Sequence, residues 1–152
     1  MKHTFISRSE KETKAFASLL AHKLKRGDIV LLSGDLGAGK TTLVGGVLNE
    51  LGYKDHVISP TFNILKCYFD VNPHVYHIDA YRLEDQNIDI GLEEYIEGDG
   101  VCFIEWPMFI LPIIPKKNLQ IIIKRIDDST REITVESEYF NDLISTISQG
   151  AK

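Results

Sequence analysis

The sequence predicts an α/β fold, and three observations predict it. First, the aliphatic run Ile29-Val30-Leu31-Leu32, a glycine-rich turn and a helical run follow one another directly. In that last run Leu43, Val44, Val47, Leu48 and Leu51 fall at helical spacing, and Gly52 is placed to end it. Second, two later apolar runs, Val75 to Ile78 and Val101 to Ile104, each end in an acid, Asp79 and Glu105. Continuous apolar runs of this length suit strands buried on both faces. Third, Ile64 to Phe69 and Val75 to Ile78 flank the turn Asp70-Val71-Asn72-Pro73, so they read as an antiparallel hairpin. The chain of 152 residues is expected to form one domain, 1–152.

The elements follow in order. Ser9 and Glu12 form a capping-box pattern, and Phe16, Leu19, Leu20 and Leu24 continue it as an amphipathic helix ending near Gly27. Glu10, Glu12 and Thr13 sit at its N-terminal end, within reach of a base or ribose; the plainer reading is a capped surface helix. The turn after Leu32 then reads Gly34-Asp35-Leu36-Gly37-Ala38-Gly39-Lys40-Thr41, which fits G-x-x-x-x-G-K-S/T at every fixed position. Glycines let the backbone approach a phosphate closely, and the loop N–H groups with the helix N-terminus supply partial positive charge. Lys40 brings a full charge to β- and γ-phosphates, and the Thr41 hydroxyl is a ligand for Mg²⁺. The stretch Gly37, Ala38, Gly39, Lys40, Thr41, Thr42 is therefore the candidate ATP-binding loop.

Pro60 imposes extended or turning backbone on Ser59, and Thr61 beyond it suits a phosphate-sensing switch loop or a plain loop position. Asp79, at the end of an apolar strand, is where phosphoryl-transfer enzymes place a metal-binding or water-orienting carboxylate. His77 precedes it by two, so both share a strand face; it reads as a packed or hydrogen-bonded residue before it reads as a catalyst. Gln86 to Ile96 reads as a short surface helix whose acids Asp89, Glu93, Glu94 and Glu97 form a solvated face or a docking surface. Glu105 repeats the strand-end acid in the Walker B arrangement and is the second candidate metal ligand. Trp106, the only tryptophan, follows it and reads as core packing, a gate or a partner contact. Leu119 to Ile126 and Glu132 to Val135 close the sheet around Asp127-Asp128-Ser129-Thr130. Arg131 opens the second of them, as a surface residue or one that stacks on a base or pairs with phosphate. Tyr139 to Ile147 reads as a terminal helix.

Composition narrows the function. A net charge of -5 argues against a generic nucleic-acid binder. Cys67 and Cys102 both fall in apolar strands, as core thiols do. The most apolar stretch, Met108 to Ile114, is short and broken by Pro112, so no membrane span is expected and a reducing cytoplasm is the natural compartment. The chain lacks the guanine-reading N/T-K-x-D of GTPases and a clustered arginine lid of small-molecule kinases, which leaves a minimal ATPase with two strand-end acids.

GDLGAGKTTL (34–43), SPTF (59–62), HIDAYRL (77–83), GLEEYI (91–96) and IEWP (104–107) occur in the order and spacing of one family. In these blocks the chain resembles TsaE, the small ATPase family of bacterial tRNA threonylcarbamoyladenosine synthesis, from about Glu10 to Glu132. The resemblance implies a P-loop NTPase-like three-layer sandwich with a mixed, partly antiparallel sheet. It implies that Lys40 and Thr41 bind phosphate and Mg²⁺, that Glu105 completes the metal shell and that Asp79 is catalytic. It also implies TsaB and TsaD as partners, with tRNA met indirectly through them. Two roles stay open: an ATPase whose hydrolysis resets the partner complex, and a nucleotide-gated module in which ATP occupancy alone assembles it.

Overall fold

The computed structural model describes residues 1–35, 37–60, 63–84 and 91–150. Its strands are β1 (Lys2–Ser7), β2 (Ile29–Ser33), β3 (Leu65–Tyr68), β4 (Val75–Asp79), β5 (Val101–Glu105), β6 (Leu119–Arg125) and β7 (Arg131–Glu136). Its helices are α1 (Glu10–Lys23), α2 (Lys40–Glu50), α3 (Glu93–Ile96) and α4 (Asn141–Gly150), with 3₁₀ turns at Tyr81–Leu83, Pro107–Phe109 and Leu111–Ile113. The strands form one sheet in the order β1-β7-β6-β2-β5-β4-β3. Its centre, β6, β2, β5 and β4, is parallel, and the pairs β1–β7, β7–β6 and β4–β3 are antiparallel.

Alternation along the strands splits the core in two. Val30 and Leu32 of β2, Phe103 of β5 and Ile121 of β6 pack with Phe16, Leu20, Leu43, Val44 and Ile144 of the long helices. Ile29, Leu31, Ile78, Cys102 and Ile104 point the other way, onto Leu83, Leu92, Ile96 and Ile110 of the short turns. Two covered faces make a three-layer sandwich with a mixed, partly antiparallel sheet, as expected. The helices α1 and α2 touch closely at Gly46, where an added Cβ would lie 2.6 Å from Ala17 Cβ.

Local sequence explains the ends. Ser9 caps α1, its Oγ accepting from the Glu12 N–H at 3.1 Å. The return arm of the capping box lands one residue earlier than the motif implies: the Glu12 carboxylate accepts from the Arg8 N–H. The hairpin β3–β4 forms as read, with Leu65 opposite Ile78. Strand β1 was not legible, because its inward positions are His3, Phe5 and Ser7 while Ile6 faces solvent. Thr61, and residues 86–90 of the helix read over 86–96, lie outside the described residues; the described helical turn is Glu93–Ile96. Cys67 is half-buried, whereas Cys102 is wholly buried and both are free thiols.

Candidate functional site

At the carboxyl end of β2 the chain turns through the glycine-rich stretch into α2. Gly34, at φ +153, passes so close to β6 that a Cβ would stand 2.4 Å from the Ile123 carbonyl oxygen. Gly39, at φ +110, is the N-cap of α2 and brings no side chain to that helix start. The orphan N–H groups of the first turn thus face no capping side chain, which is the arrangement that receives an anion.

Lys40, the first residue of α2, is buried at 5% exposure. Its Nζ donates to the Gly34 carbonyl at 2.6 Å, lies 3.8 Å from Glu105 Oε1 and stands 4.2 Å from the centre of the Trp106 ring. Burial pushes the ammonium below the ordinary lysine value, and the Glu105, Asp79 and Asp35 carboxylates offset part of that shift.

The two carboxylates come from neighbouring parallel strands. Asp79 of β4 is in register with Glu105 of β5, both at strand ends and both buried. The strand period puts His77, Asp79, Phe103 and Glu105 on the face that carries α2. Asp79 Oδ2 accepts from the Ser59 hydroxyl at 3.2 Å, and Oδ1 from the Tyr81 N–H at 3.0 Å. Glu105 Oε2 lies 2.6 Å from Nε2 of His77, a fully buried imidazole. One ammonium thus faces two fixed carboxylates across a water-accessible cleft, a setting able to hold a phosphate chain and a hard cation together.

Of the residues singled out in the sequence, Gly37, Gly39, Lys40, Thr41, Thr42, Asp79, Glu105 and Arg131 line one cleft of ≈ 280 Å³, together with Ser59 and Trp106. Ala38 lies buried beneath it. Glu10 lines a neighbouring hollow of ≈ 160 Å³ shared with Gly39, Thr42 and Arg131. There it is exposed and ion-paired with Lys14 at 3.1 Å. Arg131 spends its donors on backbone: Nε on Ala38 O at 2.9 Å, Nη2 on Gly37 O at 3.4 Å, Nη1 on Asp127 O at 2.6 Å. Sequence reasoning missed the Ser59 hydroxyl as a support of Asp79, since a hydrogen-bond partner 20 residues away leaves no local pattern. It also missed the Tyr81 N–H, only two residues on, because that contact depends on how the chain turns after β4. It also missed the clamp from Arg131, whose partners lie 93 and 94 positions away.

A family model described as threonylcarbamoyl adenosine biosynthesis protein TsaE matches residues 7–133. The tRNA threonylcarbamoyladenosine biosynthesis protein TsaE of Bacillus subtilis (strain 168) is 51% identical over 123 residues, which cover 81% of this chain and 78% of that protein. The protein of the same name from Rickettsia typhi is 39% identical over 135 residues, 87% of this chain and 93% of its own. The crystal structure of Bacillus subtilis YdiB superposes with a TM-score of 0.85 at 38% identity, covering 100% of this chain and 97% of that one. With the family model spanning the glycine-rich turn and both strand-end acids, and relatives this similar over most of their length, the chain belongs to the TsaE family.

Proposed function

We propose that this chain is a cytoplasmic ATPase of tRNA threonylcarbamoyladenosine biosynthesis, working as one domain over residues 1–152. In this reading it binds the TsaB–TsaD transferase pair and resets it by hydrolysing ATP, meeting tRNA only through those partners. The observation that carries the hydrolytic part is the buried Lys40 between the glycine-rich turn and two strand-end carboxylates. A binding loop alone has little use for a second strand-end acid, whereas a hydrolase gains from it a group that orients water.

The roles follow from chemistry. The loop from Gly37 to Thr42 binds the phosphates, with Lys40 countering their charge. Thr41 and Glu105 would hold Mg²⁺: a hydroxyl and a carboxylate are the hard oxygen donors it takes, and both line the cleft. When bound, the ion neutralises charge on the phosphate oxygens. Asp79, fixed on both oxygens by Ser59 and Tyr81, accepts a hydrogen bond from the attacking water and aims it. Glu10 and Arg131 flank the loop on the side left for the nucleoside. Trp106 and the acids Glu93 and Glu94 face the partners, and the acidic net charge suits a protein partner better than bare tRNA.

The test is multiple-turnover modification of tRNA by TsaB–TsaD with this protein, supplied with ATP or with a non-hydrolysable analogue. ATP should support repeated cycles and the analogue a single round. If the analogue sustains repeated cycles, the chain is an assembly module gated by nucleotide occupancy and hydrolysis is incidental.

A further inference from the structure

We propose that His77 is a positioning residue for Glu105, fixing which carboxylate oxygen is offered to a divalent cation in the cleft. The inference rests on the assignment of Glu105 as a metal ligand made above. His77 has 0% exposure and lies on β4 two residues before Asp79, on the same face. Its Nε2 is 2.6 Å from Glu105 Oε2, while Nδ1 has no hydrogen-bond partner among the described residues. A carboxylate only accepts, so the short contact requires the proton on Nε2.

That arrangement has one chemical consequence. A carboxylate can bind a cation through one oxygen or both. With Oε2 held by the imidazole, Glu105 presents Oε1 alone, the oxygen that points to Lys40 at 3.8 Å. Strand geometry adds to the constraint: His77 and Glu105 sit on paired parallel strands, where neither backbone is free to follow a swinging side chain. A burial that leaves a ring nitrogen unpaired disfavours folding. A leucine of similar size would avoid that penalty, but it could not orient Glu105. Hydrogen-bonded partners of ligating groups commonly set metal affinity by about 10- to 100-fold.

The experiment uses the full chain with His77→Leu, which removes the donor, and His77→Gln, whose amide can restore an N–H near the Nε2 position. Mn²⁺ binding to protein loaded with a non-hydrolysable ATP analogue is counted by electron paramagnetic resonance, and nucleotide affinity is measured without metal. His77→Leu should weaken Mn²⁺ binding by about tenfold or more and leave metal-free nucleotide affinity unchanged; His77→Gln should recover most of the loss. Mn²⁺ affinities equal to wild type in both variants, or equal losses with and without metal, overturn the proposal. If Glu105→Gln does not weaken Mn²⁺ binding, the metal-ligand assignment itself has failed and this inference with it. Should His77→Leu not fold, ¹⁵N NMR of wild-type imidazoles decides: a proton on Nε2 whose signal moves in Glu105→Gln supports the pairing, and a proton on Nδ1 alone overturns it.

Discussion

Arg131 Nε donates to the Ala38 carbonyl at 2.9 Å, tying the start of β7 to the glycine-rich turn. The same guanidinium holds Asp127 and Thr130, so the β6–β7 turn and the glycine-rich turn share one cation. A planar fork of five donors on three nitrogens can reach carbonyls spread around it, whereas an ammonium's three donors sit on one nitrogen.

Arg131→Lys should therefore be a poor replacement. Removing the fork loosens the loop before nucleotide arrives, so ordering it is added to the cost of binding. ATP affinity measured by calorimetry should fall about tenfold in Arg131→Lys and in Arg131→Ala alike, equivalent to about 1.4 kcal/mol. Wild-type affinity in the lysine variant would show that only the charge matters.

Two glycines of the turn separate steric demand from backbone demand. Gly34→Ala drives a Cβ to within 2.4 Å of the Ile123 carbonyl oxygen, whereas at Gly37, φ +80, nothing among the described residues lies within 4 Å. Gly34→Ala should cost about 3 kcal/mol and lower Tm by about 10 °C. Gly37→Ala carries only the left-handed strain of about 1 kcal/mol. Thermal unfolding of the two variants checks the order; equal losses would mean that β6 yields to the new methyl group.

The parts of this site written in consecutive residues were legible in the sequence. The turn from Gly34 to Thr41, and the acids closing β4 and β5, announce themselves because a buried strand ending in a carboxylate is a local pattern. So does the hairpin, which Leu65 and Ile78 close in register. What escaped depends on distance along the chain. Nothing near Arg131 says that it will reach Ala38, and nothing near Ser59 says that it will support Asp79. His77 could be placed on the face of Asp79 by the strand period, but its bond to Glu105 needed the pairing of β4 with β5. Strand β1 escaped for another reason: it is an edge strand on whose inward side only Phe5, of His3, Phe5 and Ser7, is apolar.

Alkaline pH should reveal the buried thiol on the second core. Burial pushes the Cys102 thiol well above its ordinary value. The unfolded chain releases that proton above about pH 8.5–9 while the folded chain keeps it. The folded state then binds more protons, so stability is whole below this range and falls as pH rises through it, by about 1.4 kcal/mol per unit. Cys102→Ala removes this term and leaves the others. Urea unfolding under reducing conditions between pH 8 and pH 10.5 should show the wild type losing stability faster than the variant by about that slope. Parallel curves would mean that the thiol ionises without unfolding.

Asp79→Asn keeps the shape of the side chain and the hydrogen bonds on one oxygen, but it cannot accept a proton or draw one outward. In the proposed function the loop and Lys40 hold the phosphates, so ATP binding should stay within about twofold. Turnover should fall by about 10²–10⁴-fold, the usual contribution of a positioned base. Single-turnover and steady-state hydrolysis measured together separate the two. Wild-type turnover in the variant would remove Asp79 from the reaction.

Trp106 joins the cleft to the outside of the molecule. One side of its ring meets the Lys40 ammonium at 4.2 Å. The ring also packs near Tyr81 at 5.1 Å and Phe109 at 6.3 Å between centroids. Tyr81, and Met108 and Leu111 in the 3₁₀ turns that follow Trp106, are 45%, 48% and 56% exposed, an apolar lip in the chain around the ring. The residue is held at φ +57, a conformation that a bulky side chain adopts only when its surroundings impose it. A partner settling on this apolar lip would therefore press on the ring that touches Lys40, and would exclude water from the cleft at the same time. Losing the ring alone removes a cation–π contact of about 1 kcal/mol, so basal hydrolysis by Trp106→Ala should fall no more than about fivefold. If TsaB–TsaD dock on this lip as proposed, the acceleration they give should fall much further, because it would depend on the lip as a whole. ATP turnover of wild type and Trp106→Ala, each with and without the partners, decides the matter. If basal and stimulated rates fall by the same factor, Trp106 serves Lys40 only and the partner docks elsewhere.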